Sequence, residues 1–547
     1  MKKYIKILAI SSLCFSFVSC EKSLVEYNPS GITAESVFTT PEGFESLVNA
    51  AYSYQRWWYG KEEGYSLSEM GTDLWMSGAG DVYPDLTKYV NLQGTNGAVR
   101  DEWKALYAGV NLCNAGIQRI GASGLTDARK IQRESELRFL RAFYYWHIVE
   151  TWGGVHFTLE ETKGIITTAN KTPVESIYNQ IIEDLNFAIT NLPPTQAEYG
   201  RVTKPAALSF LARVYLFNNK PIEANRMATA VLKGNYGFQL VPNYKDLWNM
   251  NNQKNKEVVY AVNYSTNLSL NDLSNGILNP LGHSRGSNSG HMLFLMKYDT
   301  ETSMTRDITY GRPFNRYMPT RYLLDLYSLD DARYEGSFME VWLANNPDAS
   351  KRRPGQNVGD TAVVATRNVM SAVGKNYTVY DRNAIYAADG TVKDQLRYPT
   401  LIKFMDASRP SFNEAQSEKD AFVIRLSELH LIAAEAQLKL GNTDSAAYWI
   451  NIVRERAAKP GKENEMAITP AQVTLDFILD ERAREFAGEQ LRWFDLKRTD
   501  KLVERVKLHN PDVNPNIQTY HYLRPIPRTQ LDAVTNKDEF TQNTGYQ

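Results

Sequence analysis

Apolar residues recur every three or four positions in two long blocks of this chain, and that period fixes both blocks as amphipathic helices. In the first block, Thr40-Pro41 starts a stretch that carries Phe44, Leu47, Val48, Ala51 and Tyr52 on one face. Thr172-Pro173-Val174-Glu175 has the form of a capping box with proline at the first helical position. Behind it, Ile177, Ile181, Leu185, Ala188 and Leu192 follow at spacings of four, four, three and four, and Pro193-Pro194 ends the helix. The pattern predicts two more helices, over 204–218 and about 224–232.

The second block repeats the theme. Phe422, Leu426, Leu429, Ala433, Ala436 and Leu440 share a face; Gly441-Asn442 breaks the run, and 446–458 forms an antiparallel partner. Thr469-Pro470-Ala471-Gln472 is a second capping box, opening a helix that reaches about Phe486. Small alanines at facing positions around a Leu-Gly turn resemble tetratricopeptide hairpins, without the strict repeat of a regular array. The fold class is therefore mainly α: a tetratricopeptide-like scaffold of helical hairpins. Between the blocks, 261–420 has no such period, and 265–290 is rich in Asn, Ser and Gly. Long aperiodic stretches in a compact chain usually carry function, and aromatic residues interleave with this one and with 57–90. The expected architecture is a helical part over 20–260, a large irregular loop-rich ligand-binding part over 261–420, and a second helical part over 421–547.

The first nineteen residues are an address. Lys2, Lys3 and Lys6 form a basic start, and 7–18 is mostly apolar but too short to cross a bilayer, which takes about 20 apolar residues. The segment ends Phe17-Val18-Ser19-Cys20, a small residue before cysteine, which resembles a bacterial lipobox with Phe17 in place of the usual leucine. Residues 1–19 are then a lipoprotein signal peptide, and Cys20 becomes the acylated first residue of a mature chain anchored to a membrane without spanning it. Of the three cysteines only Cys113 would remain as a thiol, so no internal disulfide and no Cys-x-x-Cys zinc site is available.

Charge and motifs exclude more. Lys+Arg 61 against Asp+Glu 62 gives a net charge of -1, with no excess for a polyanion, so nucleic acid is excluded as the main ligand. Glu481, Glu485 and Glu489 stand on one helix face and suggest a glycosidase pair, but Arg482, Arg484, Arg492 and Lys497 surround them, which favours a structural ion-pair lattice. The pairs His147/His156 and His283/His291 lack metal spacing. There is no P-loop or dinucleotide fingerprint. No catalytic residue, metal or cofactor is expected. Trp103, Trp146, Trp449 and Trp493 fall in helical patterns and belong to the core; Trp57, Trp58, Trp75 and Trp342 lie at helix ends or in loops, where they cap the core or offer a stacking platform for a sugar ring.

Several blocks in order resemble the SusD/RagB family of outer-membrane nutrient-binding lipoproteins. They are Glu136-Leu137-Arg138-Phe139-Leu140-Arg141-Ala142 with Trp152-Gly153-Gly154, Lys204-Pro205-Ala206-Ala207-Leu208, Arg425-Leu426-Ser427-Glu428-Leu429, Glu481-Arg482-Ala483-Arg484-Glu485-Phe486, and Arg492-Trp493-Phe494-Asp495-Leu496. The ending Asn543-Thr544-Gly545-Tyr546 departs from the family only at Thr544, where proline is usual. The resemblance implies a surface-exposed, lipid-anchored protein of the cell outer membrane that binds oligosaccharide, or in some members peptide. It also implies delivery of that ligand to a SusC-like TonB-dependent transporter, without catalysis. A secreted glycoside hydrolase and a peptide- or protein-binding helical adaptor are the alternatives.

The family's binding loops carry no fixed motif, so the site is placed from the residues. The 70–90 and 280–310 segments are expected to meet, with Asp73 accepting from sugar hydroxyls, Trp75 stacking on a ring face, Tyr83 adding a second aromatic surface, and His283, Arg285 and Asn288 supplying donors.

Overall fold

A computed structural model describes residues 34–265 and 288–547. Its long helices are α1 (Pro41–Ser53), α2 (Gly97–Arg119), α3 (Asp127–Trp152), α4 (Val174–Asn191), α5 (Lys204–Phe217), α6 (Pro221–Leu232), α7 (Leu426–Lys439), α8 (Thr443–Ala457) and α9 (Leu475–Phe486). Local chemistry sets their starts. The side chains of Thr40, Asn96, Thr126, Thr203 and Thr474 each accept a hydrogen bond from an otherwise unpaired amide in the first turn of the helix that follows. Gly441, at φ +80, makes the tight turn between α7 and α8, a conformation only glycine adopts cheaply. The pairs α3/α4, α5/α6 and α7/α8 pack as antiparallel hairpins, and α6 packs on α7, so the hairpins stack in the tetratricopeptide manner.

Three boundaries differ from the sequence reading. Thr172 does not cap α4: its amide bonds the Val155 carbonyl in an isolated bridge, and the helix starts after Pro173 with no side-chain cap. Gln472 does reach back to the Thr469 amide (2.9 Å), but this closes only a short 3-10 turn, and α9 begins later, capped by Thr474. Phe422 keeps helical spacing with Leu426 yet lies in a strand, because the segment before α7 is pulled out by a partner strand.

The strands are short: β1 (Trp75–Ser77), β2 (Val258–Val262), β3 (Tyr317–Pro319), β4 (Phe338–Met339), β5 (Val341–Leu343), β6 (Thr361–Ala365), β7 (Thr378–Tyr380), β8 (Thr400–Leu401) and β9 (Ala421–Arg425). β1 pairs with β3, β4 with β8, and β5, β6 and β7 form a three-stranded sheet. The antiparallel pair β2–β9 has a structural meaning of its own. The chain leaves the helical scaffold after α6 and re-enters it at α7, and this pair clips the exit to the return. One apolar core joins helices from both halves of the chain; a second fills the excursion and touches the scaffold through Tyr65, Trp75, Ala483 and Ala487.

Buried charge ties the two cores together. Glu481 is paired with Arg333, Arg454 and Arg484, Glu485 with Arg333, Arg425 and Arg456, and Glu489 with Arg425 and Lys403. Burial opposes ionisation of Glu481 and Glu485, but the surrounding guanidiniums outweigh it and hold both acids well below the usual carboxylate range. The expected lattice is there, with different partners. Of the cations near in sequence only Arg484 joins it; Arg482 pairs with Asp495, Arg492 with Asp73 and Lys497 with Glu150.

Candidate ligand-binding cleft

The two segments expected to form the site do meet, but through core. The Trp75 ring packs edge-on against Phe294 at 4.8 Å, and β1 pairs with β3, just beyond the second segment. Trp75 is fully buried, as are Trp57, Trp58 and Trp342; indeed all ten tryptophans are buried, so none offers a free stacking face. Asp73 is equally unavailable. Its oxygens accept from Arg492 Nε and Nη2 (2.7 and 2.6 Å) and from Arg505 Nε (2.9 Å), all inside the protein. A carboxylate with three charge-assisted bonds and no exposed surface meets no sugar. Tyr83 is half-buried with its hydroxyl on Glu63 (3.0 Å), and Asn288 is buried, donating to the Lys419 carbonyl (2.7 Å) and accepting from the Gly290 amide (2.9 Å). His283, Arg285 and Cys20 lie outside the described residues. His147 and His291 are buried, each with Nδ1 on a backbone carbonyl, and no cluster of His, Cys, Asp or Glu among the described residues could hold a metal ion.

An open cleft of about 410 Å³ lies elsewhere, where three scaffold segments end together. The C-terminal half of α1 supplies Asn49, Tyr52 and Ser53, the turn after it Gln55 and Arg56, the α4–α5 connection Glu198 to Arg201, and the end of β2 Ala261 to Asn263. Tyr199 is 37% exposed, with the Lys254 ammonium 5.0 Å from its ring centroid. Arg201 organises the wall: it donates to Glu136 (3.1 Å), Glu198 (2.8 Å) and Asn49 (2.8 Å), and its guanidinium sits 5.4 Å from the Tyr52 ring centroid. The Tyr52 hydroxyl in turn donates to Glu136 (2.8 Å) and accepts from the Val202 amide (3.1 Å). Gly200, at φ +89, holds a left-handed backbone that favours glycine, and a Cβ there would come within 2.3 Å of Asn263 Oδ1 and push that side chain aside.

Two polar atoms of this cleft have no hydrogen-bond partner among the described residues, Gln55 Nε2 and Asn263 Oδ1. Atoms of this kind occur throughout the described residues, Ser337 Oγ and Asn510 Oδ1 among them, so they do not by themselves mark a ligand. The chemistry on offer is recognition: planar amides, a guanidinium, one carboxylate and an exposed phenol ring. Glu136 takes bonds from Arg133, Arg201 and Tyr52 and has no lone pair poised as a base. A larger depression of about 560 Å³ mixes apolar side chains such as Met339 and Met405 with polar ones such as Asp246, Asn249 and Asn251, and its one tryptophan, Trp248, is buried. The Trp248 ring is covered by Phe422 (5.8 Å, stacked) and approached by the Lys403 ammonium at 4.8 Å.

The family model for the SusD family matches residues 256–546, more than half of the chain. This chain belongs to the SusD family. A second model, described as starch-binding associating with outer membrane, matches residues 48–216 of the same SusD-family chain. A SusD-like protein of Formosa agariphila is 25% identical over 570 residues, covering 98% of each chain. The starch-binding protein SusD of Bacteroides thetaiotaomicron is 23% identical over 512 residues, covering 88% of this chain and 85% of that one. Among solved structures, surface glycan-binding protein A of Bacteroides thetaiotaomicron, in complex with laminarihexaose, superposes with a TM-score of 0.66 at 20% identity. It covers 92% of this chain and 99% of its own.

The cleft residues escaped sequence reasoning because they come from three separate segments. One signal was present: Tyr199-Gly200-Arg201 sits between Pro193-Pro194 and the capped start of α5, an aromatic and a guanidinium around a glycine turn.

Proposed function

We propose that this protein is a non-catalytic, cell-surface lipoprotein that binds oligosaccharide in the Tyr199 cleft and passes it to a SusC-like TonB-dependent transporter in the outer membrane. The observation that carries this reading is the cleft itself in a SusD-family chain. It offers an exposed tyrosine ring beside Arg201, Asn49, Gln55 and Asn263. Sugars need that combination, an aromatic face for ring C–H groups and convergent donors and acceptors for hydroxyls. The relatives support glycan as the ligand: one is named starch-binding, and a structural neighbour holds laminarihexaose. Residues 1–19 would be removed and Cys20 acylated, giving an anchored chain; among the described residues no helix is long and apolar enough to cross a membrane.

The test is a binding screen of the purified protein against a glycan panel, repeated with Tyr199→Ala. Truncating a stacking aromatic in a well-packed contact costs about 2 kcal/mol, or roughly thirty-fold in affinity, with the thermal midpoint unchanged. Glycan binding that survives Tyr199→Ala at full strength moves the site elsewhere; binding only to peptides replaces the ligand class. Turnover of a glycan abolished by one carboxylate substitution would establish the hydrolase instead. Co-purification with a barrel transporter in mild detergent tests the partner.

A further inference from the structure

The scaffold carries a second concave surface, which shares no lining residue with the Tyr199 cleft. A groove of about 420 Å³ runs between the last turns of α6, the end of α7 and the start of α8. It is lined by Asn225, Thr229, Lys233, Gln437, Ser445 and Tyr448, with Asp444 and the edge of Trp449 completing it. Tyr448 is 60% exposed, well above Tyr199, although it projects from a helix whose other aromatic, Trp449, is buried. Its ring is not loose: it stands edge-on to Trp449, centroids 4.9 Å apart, and the Lys233 ammonium lies 6.0 Å from the Trp449 ring centroid. The groove also holds an orphan. Asn225 Oδ1 is shielded from solvent and has no hydrogen-bond partner among the described residues, while the Thr229 hydroxyl spends its proton on the Asn225 carbonyl (2.6 Å) and keeps its lone pairs.

The composition of the lining decides the class of ligand. One ammonium faces one carboxylate, Lys233 and Asp444, so there is no charge excess to select a polyanion. Apolar side chains are nearly absent apart from the two rings, so an amphipathic helix would find nowhere to bury its apolar stripe. What remains is one exposed ring held by a neighbour and six polar side chains with both donors and acceptors, which suits the C–H face and hydroxyls of a neutral pyranose. We infer that this α6–α8 groove is a second, independent saccharide-binding site, taking neutral sugar units of a polysaccharide chain. It stands on different residues from the Tyr199 cleft and does not depend on that assignment.

The test uses the purified full chain and three named probes, laminarihexaose, maltoheptaose and cellohexaose, with the corresponding polysaccharides in affinity electrophoresis. Tyr448→Ala and Asn225→Ala are made alone and in a Tyr199→Ala background. The expected result is residual retardation by polysaccharide in Tyr199→Ala, weakened about tenfold further when Tyr448 is also removed, with Asn225→Ala acting in the same direction. Circular dichroism and the thermal midpoint confirm folding; should Tyr448→Ala not fold, Asn225→Ala carries the test. The inference is overturned if both groove variants match their backgrounds in every assay, or if the parent binds none of the probes. Loss of a co-purifying protein from Tyr448→Ala with sugar binding intact also overturns it, because the groove would then be a protein-docking surface.

Discussion

Asp73 separates a structural carboxylate from a ligand-binding one, and Asp73→Asn makes the distinction measurable. The wild-type carboxylate joins the loop before β1 to Arg492 and Arg505, more than 400 residues further along the chain. Both guanidiniums are buried with it, so the amide would leave two cations facing a group that no longer balances them. Removing one partner of a buried pair costs about 3–5 kcal/mol. With an unfolding entropy of roughly 2.1 cal/mol/K per residue, a cooperative unit of about 500 residues loses approximately 1 kcal/mol of stability per degree near its midpoint. The midpoint should therefore fall by about 3–5 °C in differential scanning calorimetry. The pH dependence has a fixed sign. Burial would raise the Asp73 pKa, but Arg492 and then Arg505 outweigh it and hold it at about 2, against 3.8 for an ordinary aspartate. The unfolded chain thus binds this proton more tightly, and the stabilisation, roughly 2 kcal/mol, is complete above pH 4 and lost as pH falls through about 2. The difference between wild type and Asp73→Asn should shrink over that acid window and stay constant from pH 5 to 8. Isothermal titration at 20 °C, below both midpoints, should give the same glycan affinity for both proteins. An unchanged midpoint together with a lost affinity would refute the reasoning and return Asp73 to the ligand site.

Trp75→Ala should behave in the same manner for a different reason. The buried indole fills space against Phe294, its removal costs about 3–5 kcal/mol, and chemical denaturation will show the loss while glycan affinity is kept. Gly200→Val should do the reverse: a branched side chain at φ +89, with its Cβ aimed at Asn263, distorts the cleft wall, so glycan affinity falls at least about tenfold by calorimetry with a smaller change in midpoint. Cys20→Ala should move the protein from the detergent-extracted membrane fraction to the soluble fraction, read by immunoblot after ultracentrifugation.

The helical hairpins were legible in the sequence because their information is local. A face of Ile177, Ile181, Leu185 and Ala188, or of Leu429, Ala433 and Ala436, needs no distant partner to declare itself, and all seven are buried. Errors begin where a distant segment intervenes. Thr172 has every local feature of a cap, but Val155 takes its amide; Phe422 continues a helical face, but β2 claims it as strand. Trp75 looked like a loop aromatic because β1 is three residues long, and its partner β3 lies some 240 positions away. The acids of α9 could be recognised as structural from the arginines beside them, yet Arg333, Arg425 and Arg456, their main partners, come from other elements. A nearby cation shows that a carboxylate is paired; it does not say with which one.

The same physics explains why recognition and stability fall on different residues. The cleft stands where α1, the α4–α5 connection and β2 end, and at such ends backbone groups leave their ladders and side chains leave the core. Its geometry is inherited from elements whose own packing is complete: Tyr52 and Arg201 are both fixed on Glu136, which Arg133 holds from inside α3. The buried network of Glu481, Glu485 and Glu489 does not line the cleft. It sits at the junction where Arg333 reaches in from the excursion and Arg425 from the strand that brings the chain back. Charge buried at that depth adds little net stability over an apolar filling, but it penalises every arrangement that leaves a guanidinium unpaired. It therefore fixes how the excursion seats on the scaffold, while Tyr199, Gly200 and Arg201, on a connection outside both cores, can change without disturbing that seat.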